Sequence, residues 1–161
     1  MPTPTVDTLI GLLGRRIDDR EVVSVFGAYL PGVDQSDFTA YCACTDIGVS
    51  IAFKRGAGLS AIGEDAQKLL VNGFHLHAGG HENYREYDLP LPVAIMFGDR
   101  EETIVSKLGS PSTVGGGKFS STLKKVVPRW IRYANTGKTV LHFQFSASGS
   151  LELLTLSIEK V

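Results

Sequence analysis

The residues best suited to chemistry in this chain are His75, His77 and His81. Side chains two apart in an extended segment project to one side, so His75 and His77 could face a common ion, with His81 beyond Gly79-Gly80 closing a tridentate site. Glu82 adjoins the group and no cysteine does. Histidines beside a glycine turn are read as solvent-exposed, and the expectation is no bound metal and no cofactor.

Three other constellations fail on chemical grounds. Gly115-Gly116-Gly117-Lys118 has the outline of a phosphate-binding loop, but Ser112 stands where its first glycine is required and Phe119 replaces the hydroxyl residue that would hold magnesium. It reads as an adaptable loop. Asp18, Asp19 and Glu21, with Asp99, Glu101 and Glu102, would supply paired carboxylates, yet acids collect at helix starts because the free amides and the helix dipole attract them. No Gly-x-Ser-x-Gly elbow occurs, and residues 146–149 read as a hairpin turn. No catalytic residue emerges. The expected protein is not an enzyme, with a small histidine-centred metalloenzyme as the alternative.

Binding chemistry is better represented. Glu82-Asn83-Tyr84-Arg85-Glu86-Tyr87-Asp88 interleaves two aromatics with acids and one arginine, the composition of a recognition hot spot for a basic protein partner. The partner-binding residues expected from it are Glu82, Tyr84, Glu86, Tyr87 and Asp88; a solvated edge strand is the alternative. Trp130 and Tyr133 read as core residues, as do Phe38 and Tyr41.

The elements that must position these residues follow from periodicity. Val6, Leu9, Ile10 and Leu13 fall on one helical face ending near Gly14, and a second short helix starts at Asp18 or Asp19, buries Val22, Val23 and Phe26, and stops at Gly27. Residues 38–45 and 48–54 read as strands around a turn, broken by Arg55-Gly56-Ala57-Gly58. Residues 64–76 are compatible with helix or strand. Pro90 and Pro92 make 84–96 an extended connector. A third helix is expected from Asp99 as cap, with Glu102 as its capping-box partner and Ile104, Val105 and Leu108 as its apolar stripe, ending at Gly109. Residues 130–133, 140–145 and 151–158 read as three antiparallel strands, with turns at Asn135-Thr136-Gly137-Lys138 and Ser148-Gly149-Ser150. Leu141, Phe143 and Phe145 share one face, His142 and Gln144 the other, which predicts a sheet with one buried face.

A single shift of the chain against itself carries Phe38 onto Trp130, Tyr41 onto Tyr133, Val49 onto Leu141, Ile51 onto Phe143, Phe53 onto Phe145 and Leu59 onto Leu151. A second shift carries Phe26 onto Leu108 and Gly27 onto Gly109. The expected fold class is therefore α+β, as two tandem helix-plus-antiparallel-sheet repeats, residues 1–88 and 89–161, forming one compact unit with two sheet layers.

Composition bounds the function. With 161 residues, 43% of them hydrophobic, the chain is long enough to bury a stable core. A formal net charge of −1 gives no global attraction to phosphate backbones, so nucleic acid is not expected as a partner. No apolar run has the length of a membrane span, and no signal-like segment precedes Arg15-Arg16, so the expected location is cytoplasmic. Cys42 and Cys44, two apart, are read as reduced, buried thiols.

Residues 87–156 carry a family resemblance. Asp-Leu-Pro-Leu-Pro-Val-Ala-Ile-Met-Phe-Gly-Asp-Arg-Glu-Glu, then Leu108-Gly109-Ser110-Pro111, the glycine run, Trp130-x-Arg132-Tyr133, Leu141-His142-Phe143 and Leu153-Leu154-Thr155-Leu156 resemble immunity proteins encoded beside bacterial polymorphic toxins. The layout is similar to that of the outer-membrane assembly factor BamE and of the β-lactamase inhibitor protein. The resemblance implies a stoichiometric inhibitor that covers the active site of a cognate toxin, acting in the cytoplasm because the chain lacks the secretion signal and disulfides of those relatives. An assembly or chaperone-like adaptor is the alternative.

Overall fold

A computed structural model of the chain describes residues 2–137 and 139–158. Lys138, the last residue of one expected turn, lies outside them.

The helices form where the capping chemistry places them. Thr5 Oγ1 accepts a hydrogen bond from the Thr8 amide at the start of α1 (Val6–Leu12), and Asp19 accepts one from the Glu21 amide at 2.8 Å to open α2 (Arg20–Phe26). α3 (Glu101–Leu108) departs from expectation: Asp99 does not cap it. Its carboxylate is taken by the Met96 amide at 2.9 Å and by Lys107 at 3.5 Å, so the helix begins after Arg100 without a side-chain cap.

Ten strands are described: β1 (Asp34–Gln35), β2 (Thr39–Cys44), β3 (Val49–Arg55), β4 (Leu69–His77), β5 (Thr113–Gly115), β6 (Phe119–Ser120), β7 (Lys125–Val126), β8 (Trp130–Thr136), β9 (Thr139–Phe145) and β10 (Leu151–Ser157). The ambiguous stretch resolves as a short 3₁₀ turn (Gly63–Gln67) followed by β4. Eight strands form one antiparallel sheet in the order β1-β2-β3-β4-β10-β9-β8-β5, while β6 and β7 make a separate two-stranded ribbon. The expected two sheet layers are thus one sheet. The meanders β2-β3-β4 and β8-β9-β10 join through their last strands, with Leu76 opposite Leu154, His75 opposite Thr155 and Phe74 opposite Leu156. Each last strand would otherwise expose a row of unpaired amides and carbonyls, and pairing satisfies both rows. Where β10 stops short, the chain at Gly14 to Ile17 bonds the start of β4 instead, through Gly14 N to Val71 O and Ile17 N to Leu69 O.

The two hairpins nearest the centre have matching registers. Val49, Ile51 and Phe53 of β3 pair with Leu76, Phe74 and Val71, while Leu141, Phe143 and Phe145 of β9 pair with Leu156, Leu154 and Leu151. A one-residue irregularity falls at the same place in each, leaving Asn72 and Glu152 as the extra residues. The outer strands do not follow the single shift. Cys42 pairs with Ile51 as Ile131 pairs with Phe143, so Phe38 does not correspond to Trp130, nor Tyr41 to Tyr133, and Leu151 matches Val71 and not Leu59.

One face of the sheet carries the helices. Leu9, Leu12, Val22, Phe26 and Ile104 join Cys42, Cys44, Ile51, Phe74, Phe143 and Leu154 in one core, and Phe26 stacks on Phe74 at 5.7 Å. Both thiols are buried and unpaired. α3 is fixed at its two ends, by a bidentate Glu101–Arg129 pair at 2.8 and 3.1 Å and by the Tyr133 hydroxyl donating to Gly109 O at 2.7 Å. Tyr133 is buried as expected, whereas Phe38 is 72% exposed and is not core.

Phe143→Ala should cost about 3–5 kcal/mol and Leu141→Ala about 2–5 kcal/mol, because the packed sheet and helices cannot collapse into the space. Ile62→Ala, at an exposed position, should stay within about 0.5 kcal/mol of the parent. Urea denaturation of the three variants measures the contrast.

Candidate functional site

Alternation along β4 turns Phe74 and Leu76 into the core and His75 and His77 onto the opposite face, as their spacing requires. The histidines are not solvent-exposed there. His77 is 1% accessible, its Nε2 lying 2.9 Å from Ser50 Oγ on β3 and its Nδ1 lying 3.0 Å from His81 Nδ1. His75 turns the other way and its Nδ1 meets Thr155 Oγ1 of β10 at 2.8 Å. The expected trio is therefore split. Burial, reinforced by the neighbouring histidines, pushes His75 down to about 4 and His77 down to about 3; burial, then Arg132, also lowers His142.

The segment after the turn folds back over this cluster. Arg85 N donates to Thr45 O and Tyr87 N to His77 O, which lays residues 84–87 across the ends of the hairpin. Tyr84 then stacks face to face on His77, with ring centroids 3.7 Å apart, and its hydroxyl lies 3.2 Å from that of Tyr41. Tyr87 is 2% accessible and donates its hydroxyl hydrogen to Pro4 O at 2.8 Å. Burial raises Tyr87 to about 12, with Asp88 adding to it. Glu82, Glu86 and Asp88 are exposed. Of the five residues expected to form a docking strip, Tyr84 and Tyr87 are buried and tie the loop down, and Glu82, Glu86 and Asp88 lie at the surface.

The other expected sites are also placed. Asp19 and Glu101 sit far apart in sequence at separate helix starts, each favoured in its ionised form, by the Glu21 amide and by Arg129 respectively, which is the reverse of what a general acid needs. The glycine run is a crossing point: a side chain on Gly115 would strike the Trp130 ring, and one on Gly116 would strike the Pro128 carbonyl. Trp130 faces the uncovered side of the sheet, stacked on His142 at 5.1 Å, where these two with His75, Arg132, Gln144 and Thr155 line a depression of about 470 Å³.

Beyond that crossing the chain projects as the β6–β7 ribbon, with Phe119 directly opposite Val126. Phe119, Leu123 and Val126 are 66%, 58% and 63% exposed, an unusual concentration of large apolar side chains in water. Lys118, Lys124 and Lys125 flank them. Residues 103–151 contain no aspartate or glutamate and seven lysines and arginines, so the nearly neutral chain divides into a basic stretch and an acidic remainder. That signal was present in the sequence, hidden by the overall balance of charge.

The fold is similar to that in the crystal structure of a DUF4309 family protein, YjgB, from Bacillus subtilis, with a TM-score of 0.50 and 15% identity over 92% of this chain and 82% of that one. At that identity the likeness is one of fold. No family model matches the chain. Among the described residues, no helix is long and apolar enough to cross a membrane.

Tyr87→Ala and Tyr84→Ala should each destabilise by about 3–5 kcal/mol, and Tyr87→Phe by about 1 kcal/mol, since the last leaves the ring and removes only the bond to Pro4. Chemical denaturation checks this; residues serving only a partner would leave the midpoint unmoved. The lowered histidines also set a pH dependence. Their ordinary value in the unfolded chain is about 6.5, so stability is complete above that and falls as pH drops towards about 4, the unfolded chain holding about two more protons than the folded one near pH 5. Urea midpoints in EDTA-containing buffer between pH 7.5 and 5 should decline, and His75→Gln should flatten the decline.

Proposed function

We propose that this chain is a non-enzymatic protein-binding module that engages its partner through the β6–β7 ribbon. The observation carrying this reading is the exposure of three large apolar side chains on one short ribbon, Phe119 and Val126 paired across its strands and Leu123 in its turn, with Lys118, Lys124 and Lys125 beside them in the chain. An apolar centre with a charged rim is the anatomy of a protein interface, and the absence of any carboxylate from 103–151 fits an acidic partner surface, in place of the basic one that residues 82–88 suggested. The base of the ribbon is held by the Glu101–Arg129 pair and by the Gly115–Trp130 and Gly116–Pro128 contacts, so it meets a partner with little ordering left to lose.

The two halves are read as diverged copies of one helix-plus-meander unit. Support comes from the matched registers and matched bulges of the β3–β4 and β9–β10 hairpins, with His75 and Thr155 at the centre of the implied two-fold relation. In the cell, the role implied by the resemblance of residues 87–156 is immunity: a cytoplasmic inhibitor covering the active site of a co-encoded toxin. The ribbon, as the projecting element, would be the part that enters the toxin's cleft.

Co-purification with the product of the adjacent gene, followed by binding kinetics, tests the reading. Phe119→Ala combined with Leu123→Ala should weaken the complex by about 2 kcal/mol or more, mainly through faster dissociation, without lowering thermal stability. Lys124→Glu with Lys125→Glu should slow association and reduce its sensitivity to salt. Unchanged affinity in both variants would remove the ribbon from the interface, and no complex with the neighbouring product would remove the immunity role.

A further inference from the structure

We infer that His77, His81 and Glu82 form a binding site for one divalent transition-metal ion, zinc being the reference, which clasps the loop at residues 78–88 onto β4. One ligand atom from each of the three lies within 4.8 Å of the others. The two Nδ1 atoms face each other at 3.0 Å. Nitrogens bound to a common ion at roughly 2.0–2.1 Å lie about 2.8–3.4 Å apart for bond angles of roughly 90–110°, so the imidazoles need scarcely move to chelate one.

The surroundings of His77 suit a ligand. Its Nε2 is 2.9 Å from Ser50 Oγ, so an Nε2–H donated there leaves the Nδ1 lone pair directed at His81, the arrangement by which a partner outside the coordination sphere fixes tautomer and ring orientation. Tyr84, stacked on the ring, stops it from tilting. The turn supplying the other two ligands adopts left-handed backbone at Gly80, Glu82 and Asn83, at φ of 83°, 51° and 68°. Non-glycine residues bear a conformational cost there, and a bound ion would offset it.

Charge and access are also provided. Two neutral imidazoles and one carboxylate leave a net positive charge on a divalent complex, and Glu152 Oε1 lies 3.9 Å from His81 Nε2. His81, Glu86 and Glu152 border a depression of about 480 Å³ that gives the loop an opening to solvent. A nitrogen-rich donor set selects zinc, nickel or copper over magnesium or calcium. The site departs from the expectation of solvated, metal-free histidines: the strand and the turn bring His77, His81 and Glu82 together, while His75, the first member of the trio that spacing suggested, turns away to Thr155. It is independent of what docks on the ribbon.

The test is titration of the EDTA-stripped, dialysed full-length protein with Zn²⁺, and in parallel with Mg²⁺, by calorimetry and by thermal denaturation. One Zn²⁺ per chain is expected, with a raised melting temperature and no response to Mg²⁺. His81→Ala and Glu82→Ala, at half-buried and exposed positions, should each weaken zinc binding by at least about tenfold and abolish the thermal shift, while His75→Gln retains both. Proton NMR of the histidine rings gives a second readout, in which His77 and His81 shift with zinc and His142 does not. Absence of stoichiometric binding overturns the site, as does binding that survives His81→Ala and Glu82→Ala together.

Discussion

The pairing of β4 with β10 is the constraint on which this fold depends. Each strand ends a three-stranded meander, and each meander alone would leave a long edge and too little apolar surface to stand in water. Joined, they give a sheet broad enough for α1, α2 and α3 to pack on a single face, and one core runs through both halves. The bulges at Asn72 and Glu152 sit symmetrically about that seam. A bulge sharpens the local twist, so two at matched positions twist both wings of the sheet in the same sense.

The same seam explains why polar chemistry gathers where it does. On the helix-covered face, pairs such as Ile51 with Phe74 and Phe143 with Leu154 exclude water by packing. On the other face the strands carry Ser50, His75, His77, His142, Gln144 and Thr155 instead, and α1, α2 and α3 pack elsewhere. These groups remain partly or wholly out of solvent, because neighbouring side chains and the returning 84–88 segment cover them. Each buried polar group must then find a partner, and they find one another: Ser50 with His77, His75 with Thr155, Tyr41 with Tyr84. Order at this face is bought with hydrogen bonds that cross between elements.

A contrast between two segments shows how similar compositions reach opposite fates. Residues 82–88 mix aromatics with charges and are drawn inward, since their backbone is bonded to Thr45 and His77 and their tyrosines have receptive partners beneath them. Residues 118–126 mix aromatics and aliphatics with charges and are held outward. Their backbone bonds run within the ribbon and to Val127 at its base, and the glycine crossing carries them clear of the sheet. Hydrophobicity sets the driving force in both; what lies within reach decides whether it is satisfied inside the protein or left for another surface.

The sequence by itself determined the α+β class, α1, α2 with its capping aspartate, the strands β3, β9 and β10, and the inward face of β3 and of β9. These are local matters, set by periods of 3.6 and 2 and by the preference of Asp, Thr and Gly for helix ends. It also carried the correspondence of β3 with β9, because inward residues of paired strands must be apolar. Tertiary structure alone decided that the halves share one sheet, since any antiparallel edge could in principle pair with any other. The shift of β2 against β8 was likewise illegible, because the link from Tyr133 to its partner Leu141 is longer than that from Cys44 to Val49, and an odd displacement turns every side chain to the other face, leaving Phe38 in water. It alone decided the fate of Tyr84, Tyr87 and the histidines. Whether an aromatic anchors a partner or the protein's own loop depends on contacts such as Tyr87 to Pro4, made between residues that are distant in the chain, and no local pattern records them.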